Sequence, residues 1–421
     1  MAERAPGMMD PESQQKYIEI GTAFRPASPI DRRDLFAGRT QQVGDVIDVL
    51  FQAGQHAVIY GERGVGKTSL TTVLAEIIGR GRILALRANC DGTDNFSTIW
   101  RKILDEVRLT ESMPGMGFKP QQREVIRSAA TLLPQENPVS PNDVRKVLSR
   151  LGNIRNTVVF IDEFDRLEDA TARALFADTI KTFSDQLVPA TIVLVGVADN
   201  VDELIAEHRS VERALVQIHM PRMSQAELRE IVKRGLGTVS MEIEDRALLW
   251  IIQLSQGLPH YTHLVAQWSA REAIVQGRLR VQEPDVHAAI KTVLGRTQES
   301  IISSYHKATS SARENLYEQV LLACALAPTD DLGYFAAVDV REPLSAIMGK
   351  PYDIPAFARH LNALSGTGRG PVLQKAGATR KFRFRFLNPL LQPYVIMRGL
   401  ASGMISTEML GVVSRRNTLN D

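Results

Sequence analysis

The chain has 421 residues, of which 44% are hydrophobic and 23% charged, and its formal net charge at pH 7 is +2. These values are typical of a soluble globular protein, and the length predicts two or three domains. The two cysteines, Cys90 and Cys324, lie far apart in sequence, which excludes a disulfide framework or zinc motif and favours a reducing cytoplasm. No apolar run resembles a secretion signal or a membrane span.

The first 33 residues are polar and end in the turn-prone run Arg25-Pro26-Ala27-Ser28-Pro29. We therefore expect residues 1–33 to be a flexible leader. The short motif Phe36–Arg39 follows, and then a helix from about Gln41 to Ala53, with Gly54 at its C-terminal end.

A glycine-rich turn between a strand and a helix is the most specific motif of the chain. Ala57–Tyr60 predicts a buried strand, and Gly61–Thr68 fits G-x-x-x-x-G-K-[ST] at every fixed position. Backbone N–H groups of such a loop wrap a polyphosphate at the positive end of the next helix, which predicts nucleoside triphosphate binding. In this pattern Lys67 reaches the β- and γ-phosphates and the Thr68 hydroxyl binds Mg²⁺. The predicted nucleotide-binding residues of this loop are Gly61, Glu62, Arg63, Gly64, Val65, Gly66, Lys67, Thr68 and Ser69.

Strands and helices alternate after this loop. The pattern predicts a strand at Ile83–Ala88 and a helix at Ser97–Leu109. The irregular insertion Glu111–Asn142 follows; we expect it to hold one helix, Gln121–Leu133, and interpret it as an inert surface excursion. The alternation predicts a parallel α/β sheet with right-handed crossovers.

The next strand ends in carboxylates. Thr157–Ile161 is apolar and is followed by Asp162 and Glu163, which a parallel sheet places at its ligand-binding edge. Asp162 is the predicted Mg²⁺ ligand, through water, and Glu163 is the predicted general base. Another buried strand, Ala190–Ala198, precedes Asn200, which we expect to orient the attacking water; the alternative is a turn residue.

The second half of the chain is mostly helical. Ser224 and Glu227 form a capping box at the start of the first helix, and the pattern predicts a small helical lid over residues 223–300. A third module, residues 301–404, has the pattern of a winged helix with a recognition helix at Ile354–Leu364. A flexible tail, 405–421, is expected to follow.

The hairpin of this third module alternates aromatic and basic residues from Lys381 to Phe386, so Phe382, Phe384 and Phe386 are expected to face inward. On the recognition helix, Arg359, His360 and Asn362 are expected to face a groove. The basic residues predicted to contact nucleic-acid phosphates are Arg359, Lys375, Arg380, Lys381, Arg383 and Arg385. The alternative is a solvated, charged strand face.

Gly61–Thr68, Asp162–Glu163, Asn200 and the helical region after them together resemble the AAA+ ATPases. The branch that the chain resembles most holds the archaeal and eukaryotic origin-recognition ATPases and the related STAND switch ATPases. This resemblance implies that Phe36–Arg39 corresponds to the F-x-G-R motif of the adenine pocket, which makes Phe36 and Arg39 nucleotide contacts.

The resemblance extends to the lid. Gly257-Leu258-Pro259 is similar to the G-x-P of STAND proteins, whose proline packs against the nucleotide, so Pro259 and His260 are predicted nucleotide contacts. Origin-recognition relatives have a sensor 2 arginine where this chain has His260, and a partly buried structural histidine is the alternative. The departure predicts a slow, regulated switch rather than a fast motor.

AAA+ proteins also have an arginine finger just before the last strand of the sheet, here Val216–His219. The resemblance implies this role for Arg213, with Arg209 as second choice, and the alternative is a solvated helix-end arginine. Arg222 could instead bridge the two ATPase domains.

The expected fold is an α/β P-loop NTPase sheet (34–222) with a helical lid domain (223–300) and a C-terminal winged-helix domain (301–404). The expected cofactors are ATP and Mg²⁺, and the expected activity is ATP hydrolysis in an ATP-dependent homo-oligomer. Origin-recognition relatives use the winged helix on DNA, whereas STAND relatives use it to hold a closed state. Three hypotheses therefore remain. The first is a DNA-associated ATPase in replication, transposition or mobile-element maintenance that contacts double-stranded DNA. The second is a STAND-like switch that binds a protein effector without DNA, for example in phage defence, and the third is a nucleotide binder that hydrolyses little. No membrane partner is expected.

Overall fold

The computed structural model describes residues 9–26, 28, 37–81, 83–114, 122–198, 201, 204, 211–311, 316–378, 381–406 and 409. The helices up to the end of the sheet are α1 (Pro11–Ala23), α2 (Thr40–Phe51), α3 (Lys67–Gly79), α4 (Phe96–Asp105), α5 (Pro141–Gly152) and α6 (Ala170–Asp185). The strands of the same part are β1 (His56–Gly61), β2 (Leu84–Asn89), β3 (Arg108–Pro114), β4 (Gln122–Ser128), β5 (Thr157–Asp162), β6 (Ala190–Val197) and β7 (Leu215–His219).

The rest of the described chain is mainly helical. Its helices are α7 (Gln225–Thr238), α8 (Asp245–Ser255), α9 (Pro259–Val275), α10 (Glu283–Gly295), α11 (Glu299–Thr309), α12 (Tyr317–Leu326), α13 (Ala337–Met348), α14 (Ile354–Leu364) and α15 (Leu391–Ala401). Its strands are β8 (Glu242–Ile243), β9 (Arg280–Val281), β10 (Phe335–Ala336), β11 (Leu373–Ala376) and β12 (Arg383–Phe386). No described helix is both long and apolar enough to cross a membrane.

Five strands form a parallel sheet in the order β2–β5–β6–β1–β7. Alternate residues of β1 enter two different cores: Ala57 and Ile59 pack on the side of the lid, and Val58 packs on the side of α4–α6. Burial on both faces explains the continuous apolar runs of these strands. The order places the carboxyl ends of β5, β6 and β1 side by side, and the predicted α/β class with a P-loop NTPase sheet is confirmed.

The insertion between α4 and α5 differs from expectation. The helix predicted at Gln121–Leu133 is wrong, because β3 and β4 form an antiparallel hairpin in which Arg108 pairs with Ser128. Of the described residues between 122 and 133, only Ala129–Leu132 is helical, as a single 3-10 turn. The β-branched pair Val125-Ile126 favours a strand, and pairing with β3 supplies the backbone hydrogen bonds that a helix would otherwise have made locally.

The flexible leader predicted for residues 1–33 is also wrong in its central part. Asp10 caps α1 through its side chain, Pro11 occupies the first helical position, and Ile20, Ala23 and Phe24 are buried against the lid. Residues 1–8, 27 and 29–33 lie outside the described residues. The helix is stable at this position because its apolar stripe has a partner that only the tertiary fold supplies.

The helices α7–α10 pack beside the sheet in the region predicted to be the lid. The capping box predicted at Ser224 and Glu227 is confirmed, since each side chain accepts a hydrogen bond from the other residue's backbone N–H. Buried side chains join the lid, α1 and one face of the sheet into a single apolar core. The lid and the nucleotide domain therefore share an apolar core.

The C-terminal module has the order helix, strand, helix, helix, strand, strand, from α12 to β12. Its three strands form an antiparallel sheet in the order β10–β12–β11. Phe384 and Phe386 are buried while Lys381 and Arg383 are exposed, as the alternation predicts. The start of the module is a helix, α11, with Ile301 among its buried residues, and Ile405 of the predicted flexible tail is buried as well. Residues 407–408 and 410–421 lie outside the described residues.

Candidate functional site

A cavity of about 790 Å³ opens where the sheet, the lid and the C-terminal module meet. One end is formed by the glycine-rich loop and the carboxylates that follow β5, and the other by α1, the lid and the entry to α2. The lining residues on which the site depends are Pro26, Ala37, Arg39, Arg63, Gly64, Val65, Gly66, Lys67, Thr68, Ser69, Asp162, Glu163, Met223, Ile231, Pro259, His260, His263 and Leu390. Most residues predicted from sequence to bind nucleotide therefore line one space.

The glycine-rich loop runs from the end of β1 to the start of α3. Gly61 lies so close to the Met220 carbonyl oxygen that a Cβ there would collide with it, and Gly66 has the positive φ of +98° that begins α3. The Lys67 ammonium donates to the carbonyl oxygens of Gly61, at 2.9 Å, and Glu62, at 2.7 Å. Lys67 thus stays within the loop that a polyphosphate would occupy.

Burial lowers the pKa of Lys67 to about 8, even though Asp165 and Asp162 nearby act in the opposite direction. A buried ammonium without a strong ion partner is disfavoured, and a polyanion beside it would reverse the balance. The loop is therefore electrostatically prepared for phosphate.

Asp162 has the properties of a metal ligand. Its side chain is buried, with 4% exposure. One oxygen, Oδ1, accepts the Glu163 backbone N–H at 2.8 Å, and the other, Oδ2, has no hydrogen-bond partner among the described residues. An unpaired buried carboxylate oxygen in a cavity that Thr68 also lines fits a hydrated Mg²⁺, which prefers oxygen ligands. The described residues hold no cluster of three or more His, Cys, Asp or Glu for any other metal.

Glu163 follows directly and turns the chain sharply. Its backbone is in the left-handed region, with φ of +53°, which is uncommon for a residue with a side chain. Its carboxylate accepts from the Arg166 guanidinium at 2.8 Å, and both side chains are about half exposed, so the pair is readily exchanged. Asp165 accepts the Val197 backbone N–H at 2.8 Å, which fastens this turn to the end of β6.

Arg39 lines the cavity, but its guanidinium is hydrogen-bonded to backbone oxygens of the protein. The guanidinium donates to the carbonyl oxygens of Val65, at 3.1 Å, and Pro221, at 2.6 Å, and burial lowers its pKa. Its backbone N–H donates to Glu227, the residue of the lid capping box. Arg39 therefore joins the phosphate loop, the chain leading to the lid and the lid itself.

The lid contributes Pro259 and His260 at the start of α9. Pro259 packs beside Gly66 of the phosphate loop, and His260 Nδ1 is hydrogen-bonded to the Pro26 carbonyl oxygen at 2.7 Å. His263, one turn further along α9, also lines the cavity, and the sequence analysis did not identify it. A histidine inside a helical apolar pattern gives no signal by itself; only the position of α1 shows that this helix face closes a cavity.

The structure does not describe every predicted site residue. Phe36, Asn200, Arg209 and Arg380 lie outside the described residues. Arg213 is described and exposed, two residues before the edge strand β7, where a neighbouring molecule has access to it.

Arg222 connects three parts of the molecule. Its guanidinium binds the Glu62 carboxylate of the phosphate loop at 2.6 Å, the Gln256 carbonyl oxygen of the lid at 3.2 Å and Gln392 Oε1 of α15 at 2.6 Å. The expectation that Arg222 bridges two ATPase domains did not include the C-terminal module. Leu390, the residue before α15, packs over Gly64.

The basic residues of the C-terminal module differ in their availability. Arg359 and Lys381 are exposed, whereas Arg383 pairs with Asp330, and Arg385 donates to Gln374 at 2.8 Å. Lys375 donates to Asn362 at 2.8 Å. The expectation that His360 faces a groove is wrong: its side chain is 1% exposed and packs edge-on against Tyr317. It occupies the inner stripe of α14 with Phe357 and Leu361.

Residues 35–195 match the family model described as AAA ATPase domain. Among solved structures, a Walker-type ATPase of Pyrococcus abyssi is 16% identical with a TM-score of 0.50, and the match covers 88% of this chain and 98% of that one. Cdc6p of Pyrobaculum aerophilum is 15% identical with a TM-score of 0.45, over 91% of this chain and 99% of that one. The ORC1 protein of Aeropyrum pernix, solved in complex with DNA, is 13% identical with a TM-score of 0.46, over 88% and 94%.

A search of curated proteins found no match to this chain. The likeness to the Pyrococcus abyssi ATPase shows the fold alone. The match to the AAA ATPase domain model thus covers the part of the chain that carries the phosphate loop and the carboxylates after β5.

Proposed function

We propose that this protein is an ATP-binding and ATP-hydrolysing switch of the AAA+ class, in which the bound nucleotide controls how the C-terminal module packs on the ATPase core. The observation that carries the proposal is the convergence of Lys67, Thr68, Asp162 and Glu163 on one cavity beside the Arg222 contacts. The origin-recognition and STAND resemblance supports the same class.

Different residues of the site bind the phosphates, hold the metal and activate the water. Lys67 and the loop N–H groups bind the β- and γ-phosphates, and Thr68 and Asp162 would hold Mg²⁺, which neutralises charge on the phosphate oxygens. Glu163 polarises the attacking water as general base, with Asn200 in the proposed orienting role. Because Arg166 holds the Glu163 carboxylate in this state, hydrolysis requires that ion pair to open.

The switch depends on contacts that join the phosphate loop to the C-terminal module. Glu62 belongs to the loop, Gln392 belongs to α15, and Arg222 binds both. Gly333 of the C-terminal module lies so close to the Glu62 carboxylate that a Cβ there would collide with it. A loop that rearranges around phosphate changes these contacts directly, so the two nucleotide states differ in their interaction with the module.

The ATPase proposal is tested by the variant Glu163→Gln. We expect it to retain Mg–ATP binding in equilibrium dialysis while phosphate release falls by about 100-fold or more, since general-base catalysis contributes roughly that factor. The control is Glu168→Gln, an exposed acid five residues away, which should leave turnover unchanged. Wild-type protein that binds ATP without releasing phosphate, or a Glu163→Gln variant with undiminished turnover, would disprove hydrolysis by this site.

Self-assembly belongs to the same proposal. Arg213, exposed before the edge strand β7, is the proposed arginine finger that enters the ATP site of a neighbouring copy. Arg213→Ala should lower turnover at protein concentrations that give ATP-dependent assembly and leave dilute protein unaffected. An equal loss at both concentrations would show that Arg213 acts within its own chain or on folding.

A second candidate function is contact with double-stranded DNA through the C-terminal module as a winged helix. The order of its helices and strands and the exposed Arg359 and Lys381 support it. Arg383 pairs with Asp330, so contact between Arg383 and a phosphate requires this ion pair to open. The logarithm of the binding constant should fall linearly with the logarithm of the salt concentration, with a slope of about −0.9 for each phosphate contact.

Arg359→Glu combined with Lys381→Glu should reduce that slope and the affinity, whereas Lys181→Glu, an exposed lysine on α6, should change neither. Duplex binding that is unaffected by the double substitution would contradict this interface. Wild-type protein that binds no duplex in any nucleotide state would leave a protein effector as the partner of the switch.

A further inference from the structure

The part of the cavity formed by α1, the lid and the entry to α2 combines aliphatic surface with a few polar groups. Ala37, Met223 and Ile231 line it with aliphatic surface, and Pro259 lies beside Gly66 of the phosphate loop. The cavity is also lined by the polar residues Arg25, Ser28 and Arg39 and by two imidazoles of the lid, His260 and His263. In an apolar pocket, a few placed polar groups set which ligand is accepted. Because the Arg39 guanidinium is hydrogen-bonded to the Val65 and Pro221 carbonyl oxygens, the two imidazoles are the polar groups that the lid itself offers to a ligand in this cavity.

The tautomer of His260 follows from its partner. His260 Nδ1 lies 2.7 Å from the Pro26 carbonyl oxygen, which can only accept a hydrogen bond, so Nδ1 carries the hydrogen. Burial lowers the pKa of His260, and the ring is neutral at pH 7. Its other nitrogen, Nε2, is then an acceptor, and it makes no hydrogen bond with any residue that the structure describes.

His263 adds a second neutral imidazole to this pocket. Its side chain is 6% exposed, its Nδ1 has no partner among the described residues, and its ring meets the Phe24 ring edge-on. Burial lowers its pKa to about 4, with His260 adding to the effect, so this ring is neutral as well. The pocket thus offers neutral imidazole nitrogens and apolar walls, without a charged side chain from the lid.

We infer that His260 Nε2 accepts a hydrogen bond from the exocyclic amino group at C6 of adenine, and that this residue selects 6-aminopurine over 6-oxopurine nucleotides. The inference rests on the proposed function, because it concerns the base of the triphosphate held by the phosphate loop. A 6-oxo group would place a second acceptor against the Nε2 lone pair, so both would be buried unpaired.

The test compares Mg–ATP with Mg–ITP, which differ at C6, in direct binding measurements on the full chain. Wild-type protein should bind ITP about 10- to 100-fold more weakly than ATP, the factor expected for an unpaired buried polar group. His260→Asn keeps a donor near the Nδ1 position for Pro26 but removes the acceptor at Nε2, so the two affinities should converge.

His260→Gln, which places an amide near the Nε2 position, should recover part of the discrimination. His306→Asn, an exposed histidine on α11, is the matched control and should behave as wild type.

Equal binding of ATP and ITP by wild-type protein, or full discrimination by His260→Asn, would overturn the inference while leaving triphosphate binding intact. Absence of binding to either nucleotide would instead overturn the proposed function. A thermal unfolding curve of each variant in the absence of nucleotide separates loss of recognition from loss of folding.

Discussion

Histidines buried in the neutral form make the stability of this protein sensitive to acid. His56 begins β1, its Nδ1 accepts the Ile192 backbone N–H at 2.9 Å, and burial lowers its pKa to about 4. Burial lowers the pKa of His263 to about 4 as well. Because both values lie below the ordinary 6.5, the unfolded chain binds protons first as the pH falls.

Acid therefore lowers the free energy of unfolding. Stability from each histidine is complete above pH 6.5 and is lost as the pH falls to 4, by about 3 kcal/mol for His56. His56→Asn retains an acceptor for Ile192 without a titrating ring, so urea unfolding between pH 7 and pH 5 should show a shallower loss than in wild type. Parallel pH profiles for the two proteins would contradict the assignment.

Lys67 should take up a proton when ATP binds. Its pKa of about 8 leaves roughly half of the side chains neutral at pH 8, and the phosphates favour the charged form. Calorimetric titrations at pH 8 in buffers of different ionisation enthalpy should show uptake of about half a proton per Mg–ATP, falling towards zero at pH 7. The arginine of Lys67→Arg stays charged, so Mg–ATP binding to this variant should cause no proton uptake. Proton uptake equal to that of wild type would show that another group takes up the proton.

At the scale of elements, sequence patterns predicted what local physics determines. The phosphate loop, the apolar strands and the Ser224 capping box each carry their signal within about ten residues. The hairpin β3–β4 was missed because its hydrogen bonds join distant residues, and α1 was missed because its apolar side needs the lid as partner. His263 was not predicted as a site residue for the same reason, because only the packing of α1 makes it part of a cavity.

The packing of α1 on the lid gives a matched pair of substitutions in α7. A Cβ at Gly235 would collide with the buried Phe24 ring, whereas a Cβ at Gly237 meets nothing within 4 Å. Gly235→Ala should lower the free energy of unfolding by about 1–3 kcal/mol through overpacking. Gly237→Ala should raise it by up to about 1 kcal/mol through helix propensity.

Thermal unfolding of the two variants measures both effects. Opposite shifts in Tm are expected for Gly235→Ala and Gly237→Ala. If both variants unfold at higher temperature than wild type, α1 does not pack on α7 in solution as described.

At the scale of the whole molecule, one apolar core runs from the sheet through the lid into the C-terminal module. Where it reaches the nucleotide cavity, Tyr261 of the lid donates to the Leu390 carbonyl oxygen at 2.8 Å, and Arg222 holds Glu62 and Gln392. These contacts join residues more than 120 positions apart, which no local pattern in one sequence predicts. We propose these contacts as the route by which bound nucleotide acts on the position of the C-terminal module.

Spin labels can show whether the C-terminal module moves relative to the ATPase core when nucleotide binds. Cys90 and Cys324 are buried and burial raises the pKa of both thiols, so labels attach selectively to cysteines introduced at exposed positions. Lys181 on α6 and Lys381 beside β12 are two such positions.

The most direct test of the switch is the distance between spin labels on Lys181→Cys and Lys381→Cys, measured by pulsed electron paramagnetic resonance in the Glu163→Gln background. With saturating Mg–ATP, the distance distribution should differ from that with ADP, and Arg222→Gln should broaden the ADP distribution. Superimposable distributions without nucleotide, with ADP and with Mg–ATP would contradict the claim that nucleotide controls the C-terminal module.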